Sequence, residues 1–378
     1  MRPSSVLGTC LLRLSISLYA QLHSEHKNEN VLFSPFSLGT ALSVIRDGAR
    51  NITERELSRM FMCGHDDLRE HFKKFLADVA GYAPNVTLHM ASRMLSDYRY
   101  KVKKEYTSLL HDYYNTSVGT VDFKERYEDV RVESNAWVSK HTGHNIKNLL
   151  PPGSINADTT LVLMNAVHFK GFWEFPFEKL LTRPQNFFLD SNKSVMVQMM
   201  RQMGAFKAGH SEELKSRALE MPYKGFNCSM IILLPDEMEG LSLLEQKLSE
   251  LSLRKLLASL KVDDLHVAIP KINLKARQSM KDTLRAMGVK HVFEKEADLS
   301  GIFEEAPTTL SDVVHEVWLQ LDEEGTEAGA ATAVVGAGSA VPSEEVSKMH
   351  FVVDHPFMFL VRSVDPDVLL FVGSVRKF

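Results

Sequence analysis

Apolar side chains in the first third of the chain recur every three or four positions. Leu14, Ile16, Leu18, Tyr19 and Leu22 form one such stripe, and Leu68, Phe72, Phe75, Leu76 and Val79 a second, the mark of helices that bury one face. Thr53 stands three positions before Glu56, the capping-box order that predicts a helix start, and Asp66-Asp67 serve the same purpose ahead of Leu68. A further helix is predicted from Glu133 to Leu150, where Pro151-Pro152-Gly153 stops it.

Beyond Gly153 the pattern changes to strands. Thr159 to Phe169 is an almost unbroken run of apolar and β-favouring residues, which predicts a strand buried on both faces at the centre of a sheet. Ser229 to Pro235 and Leu265 to Pro270 are shorter runs closed by proline. Met349 to Val361 and Val368 to Val375 add two more, parted by the turn-forming Asp365-Pro366-Asp367. Without a fixed repeat or a linker, this order implies one α+β body over residues 1–378 rather than two domains.

Charge and cysteine content narrow the function. The 378 residues carry 44 Lys+Arg against 48 Asp+Glu, a net charge of −4, which argues against a general nucleic-acid binder. No apolar run reaches the length of roughly eighteen residues that a membrane span needs. Cys10, Cys63 and Cys228 cannot all pair within one chain and none stands in a C-x-x-C spacing, so neither disulfides nor a metal are expected to hold the fold. Residues 1–15 are the least defined part. Val6 to Leu12 resembles the start of a signal peptide, but Arg13 interrupts it and no small-residue cleavage site follows, whereas the stripe from Leu14 onward reads as a core-facing helix. Sequons begin at Asn51, Asn85, Asn115, Asn192 and Asn227, more than chance supplies, and favour an extracellular location over the intracellular alternative. Asn51 begins a helix and Asn227 leads into a strand, which limits access to these two.

Glu323 to Ser343 departs from the rest: it has no aromatic residue, no Leu or Ile, and glycines at 325, 329, 336 and 338. With little side chain to bury, it is expected to be exposed and mobile. A plain surface loop does not explain the small residues Thr326, Ala328, Ala330, Thr332 and Val334 on one alternating face. The stretch Val334 to Val341 resembles a dinucleotide-binding turn, but Val341 replaces the third glycine and too little chain follows for the βαβ units. A segment able to live either as a loop or as an added strand accounts for the pattern best.

From about Ile16 to Phe378 the chain resembles the serpin family. The matching stretches run in order: Asn30-Val-Leu-Phe-Ser-Pro-Phe-Ser37, Asn165-Ala-Val-His-Phe-Lys-Gly-Phe-Trp173, Leu219-Glu-Met-Pro-Tyr-Lys-Gly225, Met287-Gly-Val289, Ala297-Asp-Leu-Ser-Gly301, Val314-His315, Glu323-Glu-Gly-Thr326 and Asp354-His-Pro-Phe357. The wording from Met349 to Phe357 is similar to arthropod, particularly tick, members. The resemblance implies three β-sheets surrounded by about eight or nine helices, with residues 323–348 holding an exposed reactive-centre loop. It also implies a mechanism in which a secreted serine protease cleaves the loop, becomes acylated, and is trapped when the loop inserts into the large sheet. A monomer and a consumed substrate, not an enzyme, are expected.

Residue by residue, the resemblance makes Gly325, Thr326, Glu327, Ala328, Gly329, Ala330, Ala331 and Thr332 the hinge. With Glu327 on the solvent side, Thr326, Ala328, Ala330 and Thr332 must turn inward, and all four are small. Counting the family's spacing from Gly325 sets the reactive bond between Ser339 and Ala340, with Gly338, Ala340 or a nearby valine as the other candidates for the bait residue. Ala337-Gly338-Ser339-Ala340-Val341 is small and uncharged, which suits an elastase-like pocket better than one requiring Arg or Lys. Ser34, Ser37, Asn165 and His315 are expected where the central strands part, and Lys170, Gly171 and Trp173 where the loop enters the sheet. Neither Gly-x-Ser-x-Gly nor His-Glu-x-x-His occurs. Arg69, Lys73 and Lys74, with Arg99, Lys101, Lys103 and Lys104, are candidates for a glycosaminoglycan patch, against which Asp66, Asp67, Glu70 and Glu105 are interleaved. No other cofactor is implied. The alternative function is a non-inhibitory carrier or interaction protein, to which the slackening glycines of the loop lend weight.

Overall fold

The computed structural model describes residues 5–63, 68–304, 308–326 and 349–378. Helix α1 (Val6–Glu25) starts behind Ser5, whose Oγ accepts the Gly8 N–H, and turns Leu7, Leu11, Leu14, Leu18 and Leu22 inward. The segment read as poorly defined is therefore core helix from Val6 onward. Arg13 fits because its guanidinium reaches Glu250 (2.8 Å) and the Met62 carbonyl (2.6 Å). Strand β1 (Val31–Phe33) leads into α2 (Pro35–Gly48), which Ser34 caps and Pro35 opens where no N–H is required. Helix α3 (Asn51–Phe61) begins before the cap expected at Thr53, whose hydroxyl instead accepts the Asp298 N–H. Contrary to the cysteine reading, Cys10 of α1 and Cys63 beyond α3 form a disulfide, with 5.5 Å between their Cα atoms, while Cys228 is free and buried.

Helix α4 (Leu68–Ala80) buries the predicted Leu68, Phe72, Phe75 and Val79; the Asp66-Asp67 cap lies outside the described residues. Strand β2 (Val86–Asp97), helix α5 (Lys104–Tyr114), strand β3 (Ser117–Val121) and helix α6 (Phe123–His141) follow. The helix expected over Glu133–Leu150 thus begins earlier and ends at His141. Ile146, Leu149 and Leu150 are buried, but as loop residues rather than a further helical turn.

The second half comprises β4 (Leu161–Phe172), β5 (Arg183–Asp190), β6 (Lys193–Ser211), β7 (Ser216–Pro222), β8 (Cys228–Pro235), α7 (Leu241–Lys247), α8 (Glu250–Ser259), β9 (Lys261–Pro270), β10 (Ile272–Ser279) and α9 (Lys281–Ala286). It ends in β11 (Asp312–Leu321), β12 (Gly325–Thr326), β13 (Met349–Val352), β14 (Phe357–Val364) and β15 (Asp367–Val375). The strand expected from Met349 to Val361 is two strands, β13 and β14, which lie at different places in the sheet.

One sheet has six strands in the order β10-β11-β12-β4-β2-β3. The other has nine, in the order β1-β15-β14-β8-β7-β6-β9-β13 with β5 also paired to β6. The two smaller sheets implied by the resemblance thus share the 19-residue β6 and form one continuous ladder. The main core lies between the sheets, where Phe169 meets Phe371 edge to face at 5.6 Å, and is extended by α1 and α2. A smaller core covers the opposite face of the six-stranded sheet, where Phe123, Val130 and Val138 of α6 pack over Val162, Met164 and Ala166 of β4. Strand β4, buried on both faces, is the central strand its composition predicted.

Candidate functional site: the gap between β4 and β11

Strands β4 and β11 run parallel and pair directly from Val162–Asp312 to His168–Trp318. Above His168 they part, and β12 occupies the space. Gly325 pairs with Phe172, and Thr326 with Gly171 on one side and Leu321 on the other, antiparallel to both neighbours. The stretch from Glu323, expected to be exposed, therefore begins inside the protein: Glu323 is 3% and Thr326 0% exposed. The Gly325 φ of +149° favours glycine, and a Cβ there would stand 2.0 Å from the Gly171 carbonyl oxygen. A Cβ on Gly171 would likewise stand 2.8 Å from the Tyr223 ring.

Several groups hold β12 in place. The Thr326 and Tyr223 hydroxyls share a hydrogen bond at 2.9 Å, and the Tyr223 ring lies flat on Trp173, centroids 4.6 Å apart. Trp173 donates its indole N–H to the Asp322 carbonyl (3.1 Å) and its backbone N–H to the Glu324 carbonyl (2.9 Å). The Glu323 carboxylate takes Lys271 at 2.7 Å and the Thr182 hydroxyl at 2.7 Å. Burial pushes the Glu323 carboxyl upward, but the bonds from Lys271 and Thr182 outweigh it and hold it below the usual range. Glu324 pairs with the exposed Lys179 at 2.6 Å. Lys170, on the other face of β4, lies over the Phe172 ring at 5.6 Å.

Below β12 the parallel pair is fastened by a buried network. The Ser34 N–H donates to His315 Nε2 (3.2 Å), which leaves the proton on Nδ1 to be donated to Asn165 Oδ1 (2.7 Å). The Ser37 hydroxyl donates to the same Oδ1 (2.7 Å), Asn165 returns its amide to the Ser37 carbonyl (3.2 Å), and the Ser34 hydroxyl donates to the Leu370 carbonyl (2.6 Å). Burial pushes the His315 pKa down to about 3, so the ring is neutral and serves as a strand-to-strand tie. The four residues expected here are brought together, Gly171 pairs with Thr326 of β12, and Trp173 bonds the turn that precedes it.

Glu327, Ala328, Gly329, Ala330, Ala331 and Thr332 of the hinge, and Ser339 and Ala340, lie outside the described residues. The residues missed by sequence reasoning are Tyr223, Glu323, Lys271 and Thr182. Tyr223 stood in a matched stretch, yet only the fold reveals that it reaches Thr326. The cations considered for a glycosaminoglycan fall into two groups at opposite ends of α5. Arg69 and Lys73 sit over the Tyr113 ring (5.7 and 4.9 Å), with Lys74 exposed beside them. At the other end Arg99 meets Asp97 (2.6 Å), Lys101 meets Glu304 (2.6 Å), and Lys103 donates to the Ser300 carbonyl (2.7 Å), with Lys104 exposed. Of the sequon asparagines, Asn85 is half-buried, whereas Asn51, Asn115, Asn192 and Asn227 are exposed; Asn51 opens α3 and donates its side-chain amide to Asp298 Oδ2 (2.6 Å), and Asn227 stands just before β8.

The model of the serpin (serine protease inhibitor) family matches residues 11–378. Ipis-1 from the tick Ixodes persulcatus is 43% identical over 374 residues, covering 98% of this chain and 99% of that one. Leukocyte elastase inhibitor from Bos taurus is 34% identical over 378 residues, covering 98% and 99%. The crystal structure of uncleaved ovalbumin superimposes with a TM-score of 0.89 at 26% identity, covering 98% of this chain and 100% of that one. With a strand slot between β4 and β11 and these likenesses over nearly its full length, the chain belongs to the serpin family.

Proposed function

We propose that this protein is a suicide-substrate inhibitor of a secreted serine protease and that β12 is the seated start of a strand completed only after cleavage. The observation that carries this reading is the placement of Gly325-Thr326 antiparallel to two strands that are parallel to each other below. Inserting the chain that follows Thr326 exchanges seven parallel residue pairs for two antiparallel ladders. Each residue of the new strand gains backbone partners on both sides, and antiparallel pairing is slightly more stable per residue. Before cleavage the loop is tied at both ends, so this gain is withheld.

The register fixes what insertion demands. Continued from the Thr326–Gly171 and Thr326–Leu321 pairs, it sets Thr332 between Asn165 and His315. The threonine hydroxyl can then replace, on both sides, the bond those two now make to each other. Ala328 and Ala330 follow Thr326 onto the buried face, where a larger or charged side chain would slow insertion. Glu327 falls opposite Lys170, a favourable cross-strand pair. Attack by the protease serine on the Ser339 carbonyl forms an acyl-enzyme and releases the Ala340 amine. The freed strand enters the gap with the enzyme still attached, and trapping succeeds when insertion outruns deacylation.

The small, uncharged sequence around Ser339 supports an elastase-like target, as does the likeness to a relative named leukocyte elastase inhibitor. Extracellular action is supported by the exposed sequons and by the Cys10–Cys63 disulfide, a bond characteristic of oxidising compartments. Incubation with pancreatic elastase, chymotrypsin and trypsin, read by denaturing gel and intact mass, tests the proposal. A denaturant-resistant adduct with elastase and a released peptide beginning at Ala340 are expected. Cleavage without an adduct across these and a wider panel would instead indicate the non-inhibitory alternative.

A further inference from the structure

Apart from the gap, the most distinctive unassigned set of donor side chains lies at the free edge of the nine-stranded sheet. Three adjacent strands place Met203, His266 and His350 in one row. Met203 is paired with His266 in the antiparallel β6–β9 ladder, and His266 with His350 in the parallel β9–β13 ladder. Paired residues project to the same face of a sheet, and all three line one cavity of about 560 Å³. The imidazole centroids are 4.9 Å apart, with the ring planes at 39°. At that spacing small ring rotations let one ion reach a nitrogen of each ring at the usual length of about 2 Å, with a near-tetrahedral angle between them. Among the described residues neither ring makes a hydrogen bond to protein. Met203 is 63% exposed and lines the same opening.

We propose that Met203, His266 and His350 form a copper-binding site with Cu(I) as its preferred ion. Two imidazoles alone suit zinc, nickel or copper; an added thioether selects Cu(I). The surrounding charge points the same way. Arg183 and Arg201 line the cavity, and Glu178 is the one carboxylate among the described lining residues. A cationic setting opposes a divalent ion about twice as strongly as a monovalent one. The two histidines lie far apart in sequence and the third donor is a methionine, which is why no ligand spacing reveals the site.

The consequence is mechanical. Strand β13 has four residues, pairs only with β9, and is the first described element after residues 327–348. An ion held by rings from both strands cross-links them and anchors the far end of the bait segment.

The test is a titration of the full chain with Cu(I), buffered by bicinchoninate under ascorbate, beside His266→Ala, His350→Ala and Met203→Leu variants. The wild type is expected to hold one equivalent at least about tenfold more tightly than either histidine variant. Met203→Leu should weaken Cu(I) binding while leaving Cu(II) binding unchanged. Hydrogen exchange at Met349–Val352 should slow on copper addition in the wild type and in neither histidine variant. Equal Cu(I) affinity in the wild type and both histidine variants overturns the site; tighter Zn(II) than Cu(I) binding, or no effect of Met203→Leu, overturns its assignment to copper.

Discussion

Thr326 sits with no exposed surface under the Tyr223 hydroxyl, and it is the last described residue before the hinge continues. Thr326→Arg leaves the bond at Ser339 cleavable but makes insertion begin with a guanidinium that finds no counter-charge beside Tyr223. Since desolvating an unpaired charge costs several kcal/mol, the variant should consume at least about tenfold more inhibitor per trapped protease. Gel densitometry of adduct against cleaved chain measures this, and an unchanged ratio would contradict the role given to β12. His315 and His168 make a second prediction. Burial holds His315 at about 3, and burial with His89, Lys170 and Lys275 holds His168 at about 4. The unfolded chain takes up these protons from about pH 6.5 downward while the folded protein does not, so stability is full above that pH and declines below it. Between pH 7.5 and 5 the two rings together should remove about 3–4 kcal/mol. Urea midpoints at the two pH values test it; a flat profile would mean that the rings are not held neutral.

The salt bridge between Lys271 and the buried Glu323 joins the start of β10 to the turn before β12. Glu323→Lys places two cations where one pair stood and should lower stability by about 2–3 kcal/mol, less than for a fully buried pair because Lys271 is partly exposed. It should also ease the parting of β4 from β11, so that a synthetic peptide of residues 326–339 is taken up faster, as a native-gel shift reports. Removing the disulfide with Cys63→Ser should cost about 2–4 kcal/mol, given the 53-residue separation it closes. How much of this was legible follows from what each element buries. β4 was plain because both its faces are covered. α4 was plain because its apolar stripe is regular. β2 and the long β6 were not, since β2 is half-buried over much of its length and β6 changes pairing partners along its length, so neither shows sustained alternation. Ile146, Leu149 and Leu150 mimic a helical stripe because they pack beneath α6 as a loop. The members of the His315 network, and Gly325 and Thr326 of β12, were named through resemblance to a known family. The Glu323–Lys271–Thr182 cluster was not, because its members are joined only by tertiary structure.

Taken together, β4 and β11 form the longest parallel ladder among the described residues, bounded at one end by β12 and covered on the outer face by α6. Inserting a strand between them, as proposed, requires His315 and Asn165 to exchange partners and α6 to yield while the strand passes beneath it. In the mechanism we propose, neither rearrangement occurs while the loop is intact, and the intact fold is a starting state whose more stable successor is reached by cutting one bond. Thermal unfolding of the purified protein before and after cleavage of that loop tests this most directly. The proposed exchange of one parallel ladder for two antiparallel ones should raise the unfolding temperature by well over the roughly 2–4 °C that 1 kcal/mol gives in a domain of 150–250 residues. An unfolding temperature unchanged by cleavage would contradict the account, since it would mean that the freed strand does not enter the gap.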